Sequence, residues 1–61
     1  MNQNEIRRLL LDFLREEGIT QLHICNKTGI PTYILSRFKN GTKDLYEEDI
    51  TKLYDFLINH K

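Results

Sequence analysis

A lone cysteine, Cys25, is the strongest constraint on this 61-residue chain, because it removes the internal disulfide that short chains most often use as a staple. Below roughly 70–80 residues a single hydrophobic core contributes only a few kcal/mol, and the usual supplements are disulfides, a metal or a partner subunit. A metal site is not expected either. His23 and His60 lie far apart, and no Cys-x-x-Cys or His-x-x-x-His spacing supplies the four ligands a structural zinc needs. Self-association is therefore the default expectation.

The longest apolar run, Leu9-Leu10-Leu11, falls far short of the roughly 20 residues of a membrane-spanning helix. No basic, apolar, small-residue stretch reads as a signal peptide. A cytoplasmic protein without membrane contact is expected, and the unpaired thiol agrees with a reducing compartment.

Periodicity and chain punctuation predict four helices in one domain, residues 1–61. Ile6, Leu9, Leu10, Phe13 and Leu14 recur at helical spacing, so a first helix spans about Gln3 to Glu17 and stops at Gly18. Thr20 offers an N-cap hydroxyl to a short second helix that Gly29 ends. Pro31 cannot sit inside a helix, so it opens a third one, which carries Leu35 and Phe38 inward and stops at Asn40-Gly41. Glu47-Glu48-Asp49 suit the first turn of a fourth, whose stripe is Ile50, Leu53, Tyr54, Leu57 and Ile58. The two long helices should pack together under the two short ones. No strand signal is evident, and the fold class is all-α.

Charge is balanced overall but not along the chain. From residue 20 to 43 the charged residues are Lys27, Arg37, Lys39 and Lys43, giving +4 with no acid. Residues 1–19 total −1 and residues 44–61 total −3. A basic face built from the middle of the chain attracts phosphates.

Two short helices joined through Gly29 form a helix-turn-helix, with a core of about 20–39 and a second helix able to lie in the DNA major groove. The pattern Thr20-Gln21-x-x-Ile24-Cys25-x-x-Thr28-Gly29-Ile30, followed by Leu35-Ser36-Arg37-Phe38-x-Asn40-Gly41, resembles the Cro and lambda-repressor family of phage and bacterial regulators. The resemblance covers roughly residues 5–58. It implies a lambda-repressor-like domain, here expected to lack the family's frequent fifth helix, that binds double-stranded DNA. It also implies base contacts from Thr32, Tyr33, Ser36 and Arg37, and phosphate contacts from Gln21 and the neighbourhood of Asn40. Side-chain chemistry agrees on the bases: Arg37 can bond guanine bidentately, Thr32 and Ser36 are short donor-acceptors, and Tyr33 offers a hydroxyl and an apolar ring. Lys39 and Lys43 suit phosphates. Cys25 falls where the family needs a small buried residue, and it behaves as a small hydrophobe. Pro31 and Ile34 depart from the family, which favours a polar cap and a phosphate-contacting Ser or Thr there.

Leu11 and Phe56 lie about 130° from the centres of their helical stripes and are candidate homodimer contacts. Catalysis is not expected: His23 and Cys25, two apart on a helix, do not face one another, and so small a core leaves little room for a substrate pocket. No cofactor and no small-molecule substrate are foreseen. The expected function is transcription regulation by a small Cro-like repressor of phage or prophage type, binding an inverted repeat as a homodimer. The rival reading is a protein-interaction module on the same scaffold, such as an antitoxin or a phage-encoded inhibitor of a host nuclease.

Overall fold

The computed structural model describes residues 2–59, and His60 lies outside them. Helix α1 (Gln3–Glu17) begins where the Asn2 carboxamide accepts from the backbone N–H groups of Asn4 (2.9 Å) and Glu5 (3.3 Å). Helix α2 (Gln21–Thr28) begins on the Thr20 hydroxyl, which accepts from the His23 N–H at 3.2 Å. It ends at Gly29, whose φ of 79° is left-handed and whose N–H bonds the Cys25 carbonyl at 2.8 Å. Helix α3 (Thr32–Lys39) has Pro31 at its cap and no side-chain capping bond. Helix α4 (Glu47–Asn59) carries Glu47, Glu48 and Asp49 in its first turn. All four elements, and no strand among the described residues, match the all-α expectation.

The stop after α3 is a pair of crossed hydrogen bonds. Thr42 N–H reaches the Arg37 carbonyl at 3.0 Å and Gly41 N–H reaches the Phe38 carbonyl at 3.1 Å. This Schellman geometry needs a left-handed residue between them, and Gly41 supplies it at φ 83°.

The helices close a ring of contacts in which each packs on two neighbours: α1 on α4 and α3, and α2 on α3 and α4. The long pair thus supports the short pair. Ile6, Leu10, Ile24, Cys25, Ile30, Leu35, Phe38, Leu45, Ile50 and Leu53 are buried between them. Each large side chain among these contributes about 1.5–3 kcal/mol relative to exposure. Ile30 and Leu45 belong to connecting segments, which pins both turns to the core.

Four side chains depart from the expected stripes. Leu9 is 42% exposed and Ile58 45% exposed. Arg7 takes the inward place on α1, because its guanidinium lies over the Phe38 ring and finds partners at the α3 end. Phe56, expected on the outside, packs against the core with its ring edge-to-face on Phe13 at 5.5 Å. The reason is the ring of helices: α4 is flanked by both α1 and α2, so its buried arc is wider than a single stripe. No helix among the described residues is long and apolar enough to cross a membrane.

Candidate nucleic-acid interface

Helix α3 divides cleanly. Leu35 and Phe38 are fully buried, Ile34 packs against the same core, and the opposite arc carries Thr32, Tyr33, Ser36 and Arg37. Positions i, i+1, i+4 and i+5 share one side of an α-helix, so the four expected base-reading residues are presented together. Thr32, Tyr33 and Arg37 are exposed, Tyr33 at 65%, and Ser36 is half-buried. Ile34, for which the resemblance implies a phosphate-contacting hydroxyl, serves the core.

Gln21 and Thr32 join the starts of the two short helices. The Gln21 amide donates to the Thr32 carbonyl at 3.3 Å, leaving its other N–H and its oxygen for a further partner. At the far end of α3, Lys39 is half-buried and Asn40 exposed. Lys43 places its ammonium 5.9 Å from the ring centre of Tyr46, which is 76% exposed. Tyr46 escaped sequence reasoning, since a lone tyrosine between a loop and an acidic run has no periodic signal.

Ion pairing falls on the flanks, where Arg8 alone among the described cations has no salt bridge. The salt bridges among the described residues use Arg7 with Asp44, Arg15 with Asp12 and Lys52 with Glu48, all from the flanks. Lys27, Arg37, Lys39 and Lys43 enter none among the described residues. Their charge is not cancelled by a bonded carboxylate.

Cys25 sits 5% exposed, and burial pushes its thiol up from the ordinary value of 9.0. His23 is exposed, with its ring edge-to-face to Phe56 at 6.3 Å, away from the thiol two residues on. Surface hollows are open grooves: one runs along the outside of α1 past Asn4, Arg8 and Leu9, and another lies between α2 and α4 beside Lys27, Lys52 and Phe56. Among the described residues no three His, Cys, Asp or Glu side chains converge as a metal site. Of the expected dimer contacts, Leu11 is 45% exposed and Phe56 is occupied within the chain.

The class this geometry defines is an all-α four-helix domain whose third helix presents a polar and cationic arc on an apolar base. No protein-family model, curated protein or solved structure matches the chain.

Proposed function

We propose that the protein is a sequence-specific DNA-binding regulator in which α2, the turn 29–31 and α3 act as a helix-turn-helix. The observation that carries this reading is the distribution of cations: those of residues 20–43 are free of ion pairs among the described residues, whereas on the described flanks Arg7, Arg15 and Lys52 are each paired and Arg8 alone is not. Free cations next to an exposed polar arc suit a phosphate-lined groove. Arg37 reads a guanine through two parallel hydrogen bonds, Thr32, Tyr33 and Ser36 supply the remaining base contacts, and Gln21, Lys39, Asn40 and Lys43 hold the flanking phosphates.

One such domain spans only a few base pairs, so the reading includes a homodimer on an inverted repeat with half-sites about 34 Å apart. Exposed apolar side chains outside the core, Leu11 among them, supply the contact surface. Repression follows from occupancy, which excludes polymerase from the same DNA. Selection of bound duplexes from a random library tests the proposal; recovery of a defined motif supports it and recovery of none rejects it. Leu22, 59% exposed next to Gln21 in sequence, favours the second reading, a protein partner, which shows as absence of DNA affinity at every salt concentration.

A further inference from the structure

We propose that Arg7 is the positioning residue of the candidate interface, holding the end of α3 and the loop 40–43 in the one register that lets both touch the same duplex. The inference rests on the DNA-binding reading above and names a residue outside the contact surface.

Arg7 belongs to α1, and its side chain ties the far end of α3 and the loop after it to that helix. Nε donates to the Phe38 carbonyl, one of the orphan acceptors in the last turn of that helix. The guanidinium carbon lies 4.6 Å from the centre of the Phe38 ring. One terminal nitrogen donates to Asp44 at 3.1 Å and the other to the Asn4 carboxamide at 2.6 Å. The Arg7 side chain is 15% exposed while Asp44 is 69% exposed, so the arginine is the buried anchor and the aspartate its outer clasp. Between those two attachment points the chain carries Lys39, Asn40 and Lys43. The Phe38 carbonyl also accepts from Gly41 N–H, which places the arginine directly on the hydrogen bonds that turn the chain out of α3.

A planar guanidinium meets these partners in fixed directions, and an ammonium cannot. Loss of the clamp frees the loop to rotate about the Gly41 turn while Leu35 and Phe38 still hold α3 on the core. Base-reading side chains then lose the fixed register that the loop sets, which weakens specific binding, while Lys39 and Lys43 on the freed loop still attract phosphates.

Asp44→Asn makes the sharpest test, because the site is exposed and two mechanisms predict opposite signs. Removing a negative charge next to a phosphate-binding loop raises DNA affinity by electrostatics alone. Weakening the outer clasp from a charge-assisted bond to a neutral one lowers it at the selected site. Duplex affinity is measured on the selected sequence and on a scrambled one, across a salt series, for wild type, Asp44→Asn, Arg7→Lys and Arg7→Gln, with far-UV circular dichroism confirming helix content. The expected result is a loss of about fivefold to tenfold at the selected site for all three variants, with scrambled-duplex affinity retained and the salt slope unchanged. Equal or tighter specific binding by Asp44→Asn overturns the proposal while leaving the DNA-binding reading intact. A slope reduced by about one in Arg7→Gln, which removes the charge that Arg7→Lys keeps, overturns it too, since Arg7 would then be a phosphate contact. If wild type binds neither duplex, the DNA-binding reading falls and this inference falls with it.

Discussion

Gln3 and Leu45, forty-two positions apart, exchange two hydrogen bonds through one side-chain amide: the Gln3 Nε2 donates to the Leu45 carbonyl at 3.1 Å and the Leu45 N–H donates to Gln3 Oε1 at 3.2 Å. A glutamine amide carries a donor and an acceptor in one plane, so it satisfies a backbone residue as a neighbouring strand would. Leu45 is buried and its segment has no secondary structure to pair those groups. Gln3→Ala leaves both unpaired by protein and is expected to destabilise the fold by about 1–2 kcal/mol. Gln3→Glu at neutral pH keeps the acceptor, loses the donor and falls between the two. Urea denaturation of the three proteins checks the order.

Cys25 is expected to tolerate alanine and to resist enlargement. Cys25→Leu adds volume to a fully packed contact and costs about 1–3 kcal/mol, whereas Cys25→Ala is nearly neutral. Thiol reagents label the folded protein slowly, since the group is buried and its pKa is raised. The folded value lies above the unfolded one, so the unfolded chain releases its proton first as pH rises. The thiol's contribution is therefore fully present below the ordinary value of 9.0 and is lost as pH climbs from there through the folded value. Cys25→Ala removes that part of the alkaline decline, as stability curves above pH 8 recorded on both proteins will show.

Phe56→Ser is expected to act within one chain. Its ring touches Phe13 edge-to-face and lines the α2–α4 groove, so its loss costs about 2–4 kcal/mol. Thermal unfolding should shift by the same amount at low and high protein concentration. A shift that depends on concentration would return Phe56 to a subunit interface.

Helix boundaries were legible because each rests on a local device: a cap at Thr20, a proline at Pro31, left-handed glycines at Gly18, Gly29 and Gly41. The outward arc of α3 was legible for the same reason, since Leu35 and Phe38 fix which side faces the core. Periodicity was blind where burial is shared between residue classes. Arg7 reads as one more surface charge until its guanidinium is seen over the Phe38 ring, and Leu9 reads as core only because it is apolar. Gln3, Leu45 and Phe56 depend on which helix lies beside which, and that is a property of the ring of contacts rather than of any one segment.

Arg37→Ala should cost about 1–3 kcal/mol at the selected site and relax preference at one base pair, with a much smaller effect on scrambled duplex. The side chain is exposed and makes no ion pair among the described residues, so the fold should be unaffected. Fluorescence anisotropy on a set of single-base variants of the site measures both effects. Unchanged binding would move the reading surface away from this arc of α3.

The most direct test of the account is the salt dependence of duplex binding by the wild-type protein. Each phosphate neutralised contributes about −0.9 to the slope of log K against log salt. Lys27 lies toward the α4 side of α2, leaving Arg37, Lys39 and Lys43 with the Gln21 amide at the interface, so the slope should be about −2 to −3 per protomer. A selected sequence should bind more tightly than a scrambled one at every salt concentration. Absence of measurable duplex affinity at low salt would contradict the account, because the unpaired cations of residues 20–43 would then serve some partner other than DNA.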